Sequence, residues 1–214
     1  LPLSLVRTIK KELAMKEGLT EIISLVDRSG SMQSILDDAI GGFNTFLRSQ
    51  QDQPGEAKLS LILFDHEYQI VHQAVDIQQV EPLNQDTYVP RGSTALLDAV
   101  GKTIDAVGER LAATAESEKP SQVIVSILTD GYENASQTYS KPKVAEMIQH
   151  QTEKYNWAFE FQAANMDAFA AAKELSIAPD RVVQFEATSE GVREAFDQQS
   201  QRISAMRTRD MDEV

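Results

Sequence analysis

The chain has 214 residues, 33 acidic against 20 basic, no cysteine, and a formal net charge of -13. That length suits one domain with a sizeable core, and the missing cysteines exclude disulfides, thiolate metal sites and cysteine nucleophiles. The charge opposes a phosphate backbone, so nucleic acid is not an expected partner; no apolar run approaches the roughly 20 residues that span a bilayer, and a cytoplasmic location is the default expectation.

Leu5, Ile9 and Leu13 recur at helical spacing and predict a short N-terminal helical extension over residues 1–18, ahead of a main domain over 19–206. The first strand is the apolar run Ile22 to Val26, which breaks off in the stretch SLVDRSGSM into Asp27, Ser29 and Ser31. From Ile35 the spacing Ile35, Ala39, Phe43, Phe46, Leu47 predicts a helix, with Gly41 and Gly42 allowing close packing against the sheet. Leu59 to Phe64 is almost wholly apolar, as a strand covered on both faces should be. Only Asp65 to Tyr68 separate it from an extended segment, Gln69 to Asp76, so that third strand is predicted antiparallel and at an edge.

A long connection through Pro82 and Pro90 leads to a helix predicted from about Thr94, where Leu96, Ala99, Val100, Thr103, Ile104 and Val107 share a face. Val123 to Leu128 is a second doubly buried strand, and it too ends in polar residues, Thr129 and Asp130. Helices over 142–151 and 167–175, strands over 157–163 and 181–185, and a closing helix over 189–206 complete the pattern. The tail RTRDMDEV, 207–214, is expected to be disordered. Alternating βα units with right-handed crossovers predict an α/β fold: a Rossmann-like, doubly wound open sheet of six strands in the order 3-2-1-4-5-6, helices on both faces.

In that order the chain reverses direction between strands one and four, and their C-terminal ends form the crevice where open α/β sheets bind ligands. Asp27 and Asp130 fall at its mouth. Two readings of the surrounding Ser29, Ser31 and Thr94 are open: they cap the helices that follow, or they hold something. Asp65, His66, Tyr88, Arg91, Glu133 and Asn134 lie in connections near the crevice and are candidates for a partner-binding rim, or for plain hydration. His72 and His150 match no metal spacing.

The stretches DRSGSM, GSTALLDA and ILTDG resemble the three motifs of a von Willebrand factor type A domain and its metal-ion-dependent adhesion site (MIDAS). The resemblance covers roughly residues 19–206 and is to the intracellular prokaryotic type. It implies that Asp27, Ser29 and Ser31 supply the first motif, Thr94 the second and Asp130 the third. An all-oxygen set suits a hard dication, Mg2+ first and Mn2+ or Ca2+ next. The resemblance further implies a non-catalytic interaction module, whose metal is completed by an Asp or Glu from a partner protein, in some relatives within an ATPase-containing assembly. Two alternatives stand beside it. A metal-dependent hydrolase or phosphotransferase would use Asp27, but phosphatases of that kind need a second carboxylate two residues on, where this chain has Ser29, and no phosphate-cradle or hydrolase motif is present. A structural subunit would use the metal only to tighten its fold.

Overall fold

In the computed structural model, which describes residues 15–212, the run Ile22–Val26 is the centre of a longer strand, β1 (Lys16–Asp27). Residues 16–18 therefore belong to the sheet, not to a helical extension; Leu5, Ile9 and Leu13 lie outside the described residues. A turn of 3-10 helix (Gly30–Ile35) leads into α1 (Leu36–Gln51), followed by β2 (Glu56–Phe64) and β3 (Tyr68–Asp76). The remaining elements are α2 (Leu96–Ala113), β4 (Pro120–Thr129), α3 (Lys141–Tyr155), β5 (Ala158–Ala163), α4 (Ala168–Glu174), β6 (Val182–Gln184) and α5 (Ser189–Asp212).

The six strands form one sheet in the order β3-β2-β1-β4-β5-β6. β3 runs antiparallel to β2 at the edge and every other pairing is parallel. This is the doubly wound architecture expected from the alternation of strand and helix patterns. Successive strand residues point to opposite faces, and the core divides accordingly. Ile22, Leu61 and Ile124 pack with Phe43, Phe46, Phe196 and Ile203 on the α1 and α5 side. Ile23, Val125 and Phe161 pack with Val100, Ile104, Val144 and Ile148 on the α2 and α3 side.

Gly42 serves the closing helix, not the sheet. A Cβ at that position would come within 2.2 Å of the Phe196 ring, so the missing side chain is what lets α5 lie on α1. The closing helix also runs further than its apolar spacing suggested. Residues 207–212, expected in a disordered tail, continue α5, because Arg207 is buried and donates to the Gln50 carbonyl at 2.7 Å and to the Pro54 and Gly55 carbonyls at 3.3 Å. Those carbonyls lie at or just past the end of α1 and face a donor only when the helix continues. Residues 213–214 lie outside the described residues.

Candidate metal centre

Asp27 is the last residue of β1 and is fully buried. Its Oδ1 accepts from the Ser29 backbone N–H at 2.6 Å, and its Oδ2 accepts from the Thr129 hydroxyl, also at 2.6 Å. The Ser29 and Ser31 hydroxyls lie 3.1 Å apart, and Ser31 donates to Asp130 Oδ1 at 2.6 Å. A chain of hydroxyls and carboxylates thus crosses from the end of β1 to the end of β4. The capping reading fails on the same geometry: Ser29 holds the N-cap position of its turn but makes no side-chain cap bond, and the N-cap of α2 is Ala95, not Thr94.

Thr94 is buried in the loop entering α2. Its N–H donates to Asn134 Oδ1 at 2.9 Å, its carbonyl accepts from the N–H groups of Asn134 and Ala135, and its hydroxyl makes no hydrogen bond among the described residues. The Thr94 loop is joined to the first loop as well, since Gly30 N–H donates to the Gly92 carbonyl and Arg91 N–H to the Arg28 carbonyl. All three motif segments are tied together by backbone.

Electrostatically the crevice is under-compensated. Burial pushes the Asp27 carboxyl up to about 6; hydrogen bonds from Thr129 and Ser29 pull it back, and the nearby Asp130 charge adds to the rise. Burial also raises Asp130, against the hydrogen bond from Ser31. Asp130 Oδ2 is buried and has no hydrogen-bond partner among the described residues. An unpaired carboxylate oxygen out of water is costly, and a cation in the crevice would remove that cost. The donor types suit a hard dication: two carboxylates and three hydroxyls, all of them oxygen.

The six rim candidates divide. Asp65 is fully buried and accepts from Arg28 Nε and Arg91 Nε, each at 2.9 Å, and from the Glu67 N–H at 2.6 Å. Burial alone would raise its carboxyl, but those bonds and the two guanidinium charges hold it below the usual aspartate range. Tyr88 is also fully buried, its hydroxyl donating to the Asp27 carbonyl. Neither can meet a partner, because each is used to fasten one loop to another. Glu133 latches α2 to the β4 loop, accepting from the N–H groups of Leu97, Ala135 and Ser136. Asn134 is exposed but spends its amide oxygen on Thr94. His66 and Arg91 keep about half of their side chains in solvent.

Two residues that sequence reasoning passed over complete the site. Thr129 orients Asp27; the register that pairs Val26 with Leu128 brings the two together. Asn165, in the left-handed region at φ 55°, donates to the Asp130 carbonyl at 3.1 Å. A polar residue closing an otherwise apolar strand was the available signal for Thr129; nothing local marks Asn165.

No family model and no curated protein matches the sequence. Solved structures do match. The von Willebrand factor domain of a type V pili tip protein from Porphyromonas gingivalis is 11% identical, with a TM-score of 0.63 over 90% of this chain and 97% of that one. Proximal thread matrix protein 1 from the mussel byssus, in a structure with a zinc-occupied MIDAS motif, is 14% identical with a TM-score of 0.62, over 88% of this chain and 46% of that one. The manganese-loaded TRAP protein of Plasmodium vivax is 17% identical with a TM-score of 0.56, over 85% of this chain and 71% of that one. The chain spans about half the length of the mussel protein it matches. At such identities the likeness is one of fold.

Proposed function

From a chain with the von Willebrand factor type A fold, we propose a non-catalytic, metal-dependent protein-binding module. Asp27, Ser29, Ser31, Thr94 and Asp130 would hold the cation, and an Asp or Glu side chain from a partner protein would complete it. The observation that carries this reading is the buried Asp130 Oδ2, left without a partner at the end of a hydroxyl–carboxylate chain that joins two adjacent strands. The metal would supply a positive charge that neutral hydroxyls leave only partly neutralised, and so attract an outside carboxylate.

The zinc-occupied MIDAS motif of the mussel structure and the manganese-loaded Plasmodium protein support a dication in a chain of this fold. Mg2+ is our choice because every donor here is a hard oxygen. The protein's own residues do the positioning: Thr129 orients Asp27, Asn165 holds the Asp130 backbone, and Asp65 ties the first loop to the second through Arg28 and Arg91. The absence of catalytic activity is supported by Ser29 standing where an aspartyl-phosphate mechanism needs a carboxylate. A setting beside an ATPase-containing assembly rests on the sequence resemblance alone, and a cytoplasmic one on the default expectation from the sequence; among the described residues no helix is long and apolar enough to cross a membrane.

The test is isothermal titration of Mg2+ and Mn2+ into EDTA-stripped protein, with the Ser29→Ala/Asp130→Ala double variant as control. A binding isotherm lost in the variant supports the reading. No metal binding, with or without an added carboxylate such as acetate, overturns it.

A further inference from the structure

Six large apolar side chains are exposed among the described residues, and three of them lie close in sequence to residues that build or brace the crevice. Tyr132, 62% exposed, stands two residues beyond Asp130. Val89, 49% exposed, follows Tyr88, whose hydroxyl is bonded to the Asp27 carbonyl. Phe169, also 49% exposed, lies in the first turn of α4, four residues past the Asn165 that holds Asp130. β1, β4 and β5 are neighbours in the sheet, Tyr132 follows the end of β4, Phe169 follows the end of β5, and Tyr88 beside Val89 is bonded to the end of β1, so the three residues belong to segments at the same end of the sheet.

Charge narrows what they can meet. The protein carries a formal net charge of -13. The one exposed guanidinium of the rim, Arg91, is already paired with Glu67 and Asp65. Beyond a bound cation, the crevice has no surplus positive charge to offer. A partner bearing several acidic groups would be repelled at every position except the one facing the metal, over a screening length of about 8 Å. Affinity outside that single contact must come from apolar burial, for which exposed aromatic side chains are the strongest contributors.

We propose, resting on the metal-dependent reading above, that Tyr132, Phe169 and Val89 select a partner segment in which one acidic side chain is flanked by large apolar ones on an otherwise neutral or basic surface. Tyr132 and Phe169 are the main anchors, on the β4 and β5 side of the crevice; Val89 closes the β1 side.

The probe is a random-peptide display library, selected on the Mg2+-loaded protein and eluted with EDTA. The expected clones share one Asp or Glu between large apolar residues and carry no net negative charge, and their synthetic peptides bind the Tyr132→Ser/Phe169→Ser variant at least about tenfold more weakly. Titration of Mg2+ into the same variant checks that its metal site is intact. EDTA-eluted clones without apolar neighbours, or clones that bind wild type and variant alike, overturn this inference and leave the metal-dependent reading standing. An absence of EDTA-eluted clones overturns it too when Mg2+ itself binds; when Mg2+ does not bind, the reading beneath it falls as well.

Discussion

Thr129 donates its hydroxyl hydrogen to Asp27 Oδ2 at 2.6 Å, between side chains that are both fully buried. The bond fixes which way the Asp27 carboxylate faces, because its other oxygen is already taken by the Ser29 N–H. Thr129→Val keeps the shape and removes the donor. It should destabilise the protein by about 1–3 kcal/mol, the cost of leaving a buried acceptor unmet, and weaken Mg2+ binding; Thr129→Ser should recover both. Thermal unfolding and metal titration of the two variants check this. Equal Mg2+ affinity in Thr129→Val and wild type would show that Asp27 needs no orienting partner.

Asp130 presents the opposite case, a buried oxygen without a hydrogen-bond partner among the described residues. Asp130→Asn removes the charge and retains an acceptor for Ser31. The metal-free variant should therefore melt at or above the wild type, gaining on the order of 1 kcal/mol, and should lack the rise in melting temperature expected of the wild type with Mg2+. A metal-free variant that melts well below wild type would mean that the carboxylate is already compensated.

Asp65 joins two loops through two guanidiniums, one of which, Arg28, is buried. Asp65→Asn leaves Arg28 with an uncompensated charge and should cost about 3 kcal/mol or more. The same carboxyl sets a pH dependence. Burial alone would raise the Asp98 carboxyl, but N–H groups of Gln137, Tyr139 and Thr138 hold it below the ordinary range, as the bonds and charges around Asp65 do for that residue. A depressed folded-state value gives stability that is present above the unfolded value, about 3.9, and is lost as pH falls through the folded one. Urea unfolding followed below about pH 4 should show a steep loss in wild type and a shallower one in Asp65→Asn. Parallel curves would remove Asp65 from the account.

Glu133 accepts three backbone N–H groups and the Ser136 hydroxyl, so its carboxylate is the clasp between the β4 loop and the start of α2. Glu133→Ala should lower stability by about 1–2 kcal/mol, in the range of a lost helix cap, and speed amide exchange at Leu97 and Ser136. Unchanged exchange at both amides would return Glu133 to the surface role that its loop position suggests.

Gly42 predicts a loss where helix propensity predicts a gain. Alanine is the better helix former by about 1 kcal/mol, but its Cβ would meet the Phe196 ring at 2.2 Å. Gly42→Ala should destabilise, and Gly42→Ala/Phe196→Leu should be less affected than the two single changes added together, as read by chemical denaturation.

The six strands and their order are legible in the sequence because runs such as Leu59–Phe64 and Val123–Leu128 are apolar on both faces, which only a covered inner strand requires. Asp27 and Asp130 are legible for a related reason, as abrupt carboxylates closing such runs. The burial of Asp65 and Tyr88 is not. A carboxylate in a hairpin turn and a tyrosine in a proline-bounded connection look hydrated. What buries them is contact with Arg28, Arg91 and the Asp27 carbonyl, 37, 26 and 61 positions away. Arg207 is the same lesson at the far end of the chain: its partners are carbonyls near the end of α1, more than 150 positions earlier.

Ser31 and Asp130 are bonded across 99 positions of sequence, and Asp27 and Thr129 across 102. During synthesis the first half of the crevice leaves the ribosome long before the second. With an elongation rate of about 5–20 residues per second, the nascent chain carries Asp27, Ser29 and Ser31 for several seconds before Asp130 exists to meet them. On the proposed reading, metal capture would wait until β4 has docked beside β1, and a fragment ending before Pro120 should be blind to Mg2+ however well its own helices form.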